Sequence, residues 1–142
     1  MIEKLWDKAV SYSPDDTLKF GEQFAENISP GDVYSLTGEL AAGKTTFLKG
    51  VIKNLGYQGT VTSPTFTLIN EYTGIQKIIH IDCYREQNLS RWMDIGILEY
   101  FNNENIVFIE WPEILSNILP KKTVNISIRL ISQYTREIEI VS

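Results

Sequence analysis

The sequence holds a single cysteine, Cys83, so no intrachain disulfide can staple the fold. No run approaches the roughly 18 apolar residues that a membrane-spanning helix needs, and the longest stretches, such as 106–109, are strand-sized. The first six residues have neither the basic start nor the apolar stretch of a signal peptide, so a cytoplasmic protein without membrane insertion is expected. Positive charge is scarce. With 13 basic against 18 acidic residues and a net charge of -5, the chain is poorly equipped to neutralise the phosphates of DNA or RNA unaided. Its one basic pair, Lys121 and Lys122, reads as a solvated turn before a strand. Repeats, linkers and low-complexity tracts are absent as well.

What remains is an ordinary globular composition, 43% hydrophobic and 22% charged, in 142 residues. A single domain over residues 1–142 is expected, with about two-thirds of its unfolded surface buried. Ser13-Pro14-Asp15-Asp16 reads as a helix start, with a serine cap, proline at the first helical position and acids at the positive end; that helix should run to about Asn27. Residues 33–36 form a short strand, and a second helix follows Thr45 and stops at Gly56. Residues 67–72 and 77–81 read as strands of a hairpin turning at Thr73-Gly74. Residues 89–101 read as a helix, 106–109 as a parallel strand buried on both faces, and 113–119 as a short helix. Residues 124–130 and 134–141 close the chain as a hairpin through Ser132-Gln133. The fold expected is α/β: a P-loop NTPase-like mixed β-sheet flanked by helices, with a C-terminal β-hairpin and the ligand at the carboxyl ends of the strands.

One motif carries the chemistry. Gly38-Glu39-Leu40-Ala41-Ala42-Gly43-Lys44-Thr45 has two glycines separated by four residues, followed by lysine and a hydroxyl, which is the P-loop pattern. An accidental match in a chain this long is expected on the order of once in two hundred, so the motif is specific. Gly38 and Gly43 let successive backbone N–H groups turn inward, and the following helix presents its positive end to phosphate. Lys44 is suited to the β- and γ-phosphates, Thr45 to magnesium, and Thr46 to the α-phosphate side. Glu110 follows four apolar residues, as the metal-anchoring acid of a Walker B strand does, and Asp82 stands in a comparable position after 78–81. Asp82 is therefore a candidate to hold a magnesium-bound water or to orient the attacking one. His80, the only histidine, is expected to pack or hydrogen-bond within the sheet.

With these residues assembled, the sequence resembles the TsaE (YjeE) family, the ATPase component of bacterial tRNA threonylcarbamoyladenosine biosynthesis. The likeness covers nearly the whole chain. It is carried by the loop through Phe47, by Ser63-Pro-Thr-Phe-Thr-Leu-Ile-Asn-Glu-Tyr72, by His80-Ile-Asp-Cys-Tyr-Arg85, by Asp94-Ile-Gly96 before Glu99-Tyr-Phe101, and by Ile109-Glu-Trp-Pro-Glu113. One departure is Ala41, where the family usually has glycine. The resemblance implies ATP and Mg2+ as cofactors, with magnesium on Thr45 and Glu110 and a catalytically important Asp82. It also implies a switch-like loop over 63–67 that brings Ser63 and Thr65 to the nucleotide, and a role for Trp111 in activity. The implied partners are the TsaD and TsaB proteins, with tRNA met only indirectly through their complex. The implied activity is a magnesium-dependent ATPase, slow alone and dependent on its partners.

Two other functions compete. A small-molecule kinase needs arginines to clamp a second phosphorylated substrate, and Arg85, Arg91, Arg129 and Arg136 form no arginine-rich lid. A non-enzymatic nucleotide sensor, in which ATP only orders an interface, is compatible with the same residues. A GTPase is disfavoured because no Asn-Lys-x-Asp stretch is present to read guanine. For hydrolysis, Arg85 is a candidate arginine finger in cis, the alternative being one from a partner.

Overall fold

Strands buried along nearly their whole length build the centre of the molecule. The computed structural model describes residues 6–39, 42–64 and 66–141. In chain order its elements are β1 (Lys8–Ser11), α1 (Pro14–Ala25), β2 (Val33–Thr37), α2 (Lys44–Asn54), β3 (Ile69–Thr73), β4 (Lys77–Asp82), α3 (Leu89–Asp94), β5 (Ile106–Glu110), β6 (Val124–Leu130) and β7 (Arg136–Val141). Short 3-10 turns occupy Ile97–Tyr100 and Pro112–Leu115. The strands form one sheet in the order β1-β7-β6-β2-β5-β4-β3. The pairings β2–β5, β2–β6 and β4–β5 are parallel, and β1–β7, β6–β7 and β3–β4 are antiparallel.

Both faces of the sheet are covered. Along β5, Ile106 and Phe108 join Phe24, Phe47, Leu48 and Val51 of α1 and α2 in one apolar cluster. The alternate residues Val107 and Ile109 join Trp92, Ile97 and Leu115 in the other. A strand buried on both faces reads as a continuous apolar run, which is why 106–109 showed its position so plainly.

α1 begins as the sequence suggests. The Ser13 hydroxyl accepts the Asp16 amide at 3.1 Å, and the Asp16 carboxylate reaches back to accept the Tyr12 amide at 3.0 Å, a variant of the capping box one residue outside the cap. It ends at Ala25, two residues before the expected stop. α2 and the closing hairpin also lie where expected, although the last strand starts at Arg136 because 131–135 form the turn. Larger differences occur elsewhere. Residues 89–101 do not form one helix: α3 stops at Asp94 and Gly96 (φ 80°) turns the chain into a 3-10 segment. The expected helix at 113–119 is a single 3-10 turn beginning at Pro112. Residues 67 and 68 precede β3 rather than opening it, and Leu68 has φ 70°. The edge strand β1 was not anticipated; it is four residues long and only its last residue is buried. Among the described residues no helix is long and apolar enough to cross a membrane.

α1 and α2 cross at two glycines. A Cβ on Gly50 would collide with the Leu18 carbonyl and one on Gly21 with the Phe47 carbonyl, so the crossing distance is set by backbone against backbone. Alanine normally favours a helix over glycine by about 1 kcal/mol. Here Gly50→Ala should instead destabilise the protein by about 1–3 kcal/mol through overpacking, seen as a lower urea midpoint with an unchanged slope. A midpoint that rises would show that the helices can separate freely.

Candidate functional site

The chain leaves β2 at Thr37 and enters α2 at Lys44, so the 38–43 loop lies at the carboxyl end of a strand with parallel neighbours on both sides. Strand connections diverge there, and open α/β sheets characteristically hold their ligands in the resulting crevice. Gly43 precedes the helix with φ 102°, a conformation that disfavours side chains, and no described side chain caps the helix start. The first-turn amides of α2 therefore form a positive end suited to an anion.

Lys44 folds back into this crevice and is only 6% exposed. Its ammonium donates to the Gly38 carbonyl at 2.8 Å, lies 3.8 Å from Glu110 Oε1 and sits 4.2 Å from the Trp111 ring centre. Burial pushes the Lys44 pKa below its ordinary value, and the carboxylates of Glu110, Asp82 and Glu113 act in the opposite direction. Glu110 and Asp82 end adjacent parallel strands and face each other in register, each 3% exposed. Asp82 Oδ1 accepts the Tyr84 amide at 2.8 Å, and the Cys83 amide donates to the Glu110 carbonyl at 3.0 Å, so the ladder continues past both acids. The neighbouring Cys83 thiol is wholly buried, and burial chiefly pushes its pKa up to about 12.

His80, expected from the sequence to pack or hydrogen-bond within the sheet, does so, and its partner is Glu110. It lies two residues before Asp82 on the same face of β4, wholly buried, with Nε2 2.6 Å from Glu110 Oε2. The neutral tautomer matching this contact donates from Nε2, which leaves Nδ1 as an acceptor without a partner among the described residues. One Glu110 oxygen is thus held by His80 while the other faces Lys44. The sheet register puts 80, 82, 108 and 110 on one face and creates the diagonal contact from 80 to 110.

The other candidates are distributed around this centre. Thr45 and Thr46 lie in the first turn of α2, Ala42 is buried, and Glu39 is exposed. Ser63 belongs to an exposed approach to Pro64. That segment is anchored where the Leu68 amide donates to the Pro64 carbonyl at 2.7 Å and the Asp82 amide to the Leu68 carbonyl at 2.9 Å. Leu40, Ala41 and Thr65 lie outside the described residues. Arg85 stacks its guanidinium over the exposed Phe66 ring, 4.1 Å from the ring centre. Trp111 (φ 55°) and Leu68 (φ 70°) both adopt left-handed backbone, and such strain, roughly 1–3 kcal/mol per residue, tends to gather at functional sites. The buried oxygens of Glu110 and Asp82 suit a hard divalent cation such as magnesium, which takes few protein ligands and keeps several waters.

Fold and site define an α/β protein in which a glycine loop delivers a lysine to two strand-end carboxylates. The family model for threonylcarbamoyl adenosine biosynthesis protein TsaE matches residues 11–138. The chain is 41% identical over 133 residues to the Treponema pallidum tRNA threonylcarbamoyladenosine biosynthesis protein TsaE, covering 94% of this chain and 98% of that protein. It is 39% identical over 127 residues to the Bacillus subtilis protein of the same name, covering 89% and 79%. Among solved structures, the crystal structure of Bacillus subtilis YdiB superposes with a TM-score of 0.80 at 34% identity, covering 94% of this chain and 82% of that one. The chain belongs to the TsaE family.

The His80–Glu110 contact gives a direct test of the polar centre. His80→Leu should lower stability by about 2–3 kcal/mol because it leaves a buried carboxylate short of a donor. Glu110→Gln added to it should recover part of the loss. A double-mutant cycle in urea with no coupling between the two positions would show that the contact is energetically idle.

Proposed function

We propose that this chain binds ATP with magnesium on the 38–46 loop and hydrolyses it slowly, in support of the machinery that makes threonylcarbamoyladenosine in tRNA. The observation that carries the reading is the position of the Lys44 ammonium. It is held at the mouth of an amide-lined helix start by a carbonyl and a carboxylate, contacts that a triphosphate would replace.

In this reading Lys44 contacts the β- and γ-phosphates and the amides of the loop and first helical turn bind their oxygens. Thr45 and Glu110 would hold magnesium, which neutralises charge on the terminal phosphates when bound. His80 keeps one Glu110 oxygen fixed, so the carboxylate meets its ligand without reorienting. Asp82, beside Glu110, orients the attacking water. The 63–68 segment is joined to Asp82 through a backbone bond, which gives a terminal phosphate a route to change an outer surface. That surface would address TsaB and TsaD, the partners that the family resemblance implies. An acidic chain reaching tRNA only through such partners agrees with its net charge of -5.

Two variants separate binding from turnover. Lys44→Ala should weaken ATP binding by about 10- to 100-fold in calorimetry, the loss of a charge-assisted contact. Asp82→Asn should keep ATP affinity and slow single-turnover hydrolysis by on the order of 100-fold or more. Unchanged affinity in the first variant would refute the phosphate site, and an unchanged rate in the second would remove Asp82 from the mechanism.

A further inference from the structure

The chain leading into Pro64 is attached to β3 through side chains. The Tyr72 hydroxyl donates to the Thr62 carbonyl at 3.0 Å and accepts the Thr62 amide at 3.2 Å. Asn70 Nδ2 donates to the same carbonyl at 3.1 Å and lies 3.3 Å from both the Thr62 and the Tyr72 hydroxyl oxygens. Residues 70 and 72 share a face of β3, which lets the two side chains converge on one backbone unit.

The other end of the same Asn70 amide holds Thr67, whose hydroxyl donates to Asn70 Oδ1 at 2.8 Å. The Thr62 carbonyl can only accept, so the amide nitrogen faces Thr62 and the oxygen faces Thr67. One planar group thus grips the chain on both sides of Pro64. Thr67 precedes Leu68, whose left-handed backbone (φ 70°) is held by its amide on the Pro64 carbonyl and by its carbonyl on the Asp82 amide. A strained residue persists only where its surroundings over-determine it, and the Asn70–Thr67 bond is one of those constraints. From Asn70 a path of consecutive bonds therefore leads through Thr67 and Leu68 to Asp82.

We infer that Asn70 is a positioning residue for the proposed hydrolysis: it ties Thr62 and Thr67 to β3 and, through Leu68, keeps Asp82 in line with the phosphate site. The inference rests on the function proposed above and adds a residue that neither the glycine loop nor the strand-end acids account for. Asn70 touches no ligand in this reading and acts only through its neighbours. Thr62 and Thr67 are exposed and Asn70 is half-buried, so loss of these bonds leaves the apolar core intact.

The test reads local opening and turnover on the parent, Asn70→Ala, Thr67→Val and Thr67→Ser. Chymotrypsin cuts after aromatic residues, and Phe66, 79% exposed, lies between the gripped residues, while Tyr134, 65% exposed, lies in the distant 131–135 turn and serves as the internal control. Asn70→Ala should speed cleavage after Phe66 by about tenfold and leave cleavage after Tyr134 within about twofold. With ATP and magnesium, its single-turnover rate should fall by about tenfold while calorimetric affinity stays within about threefold. Thr67→Val should slow turnover in the same way and Thr67→Ser should restore it, which decides the matter if Asn70→Ala fails to fold. Unchanged cleavage after Phe66 overturns the inference, as does an equal rise at Phe66 and Tyr134, which would make Asn70 a contributor to global stability alone. Selective cleavage with an unchanged turnover rate overturns the link to Asp82. A parent that binds no ATP defeats the proposed function and the positioning role with it, whereas a parent that binds and turns over ATP alongside an unaffected Asn70→Ala defeats the positioning role alone.

Discussion

The parallel pairing of β2, β5 and β4 in a single register is the constraint on which the site depends. That register places Leu36 opposite Glu110 and Glu110 opposite Asp82, at the end of the sheet where the chain turns into α2. Side chains alternate along a strand, so a slip of one residue in β5 would carry Glu110 to the face covered by Trp92 and Ile97. That slip would bury the Glu110 carboxylate among apolar side chains, which opposes it; in the observed register Phe108 packs with α1 and α2, while Val107 and Ile109 pack on the opposite face. Packing thus positions the carboxylate, and the chemistry of the site is a consequence of which face is filled.

The polar centre is expensive to bury. Lys44, His80, Asp82 and Glu110 are each no more than 6% exposed, and an ion pair in such surroundings seldom adds net stability over an apolar substitute. The depressed Lys44 pKa records the cost on the cationic side. Strained backbone at Leu68 and Trp111, flanking the same centre, points the same way. Buried charge and strain thus gather at the carboxyl ends of the central strands, where the proposed reading puts a triphosphate with its metal ion.

Much of this was legible in the sequence because the signals were local. Pro30-Gly31-Asp32 marks the turn between α1 and β2, Gly56 follows the end of α2, and an unbroken apolar run marks β5. The reading of 89–101 as one helix failed for a tertiary reason. Trp92 and Ile97 are five positions apart, about 140° around a helix, and the break at Gly96 allows both to bury in the same cluster. β1 carries almost no pattern of its own; it forms because it pairs along the edge of β7. Lys44, Glu110 and Asp82 were visible as a loop lysine and two strand-end acids. His80's grip on Glu110 depends on register, and the bond from Arg136 to Ala42 spans 94 positions, so neither left a local trace.

The most direct measurement is a crystal structure of the protein grown with magnesium and a non-hydrolysable ATP analogue. The account predicts the phosphates against the 38–46 amides, with the Lys44 ammonium released from the Gly38 carbonyl to meet them and Glu110 still held by His80. A triphosphate bound elsewhere, or a Lys44 still on that carbonyl with the loop empty, would contradict it.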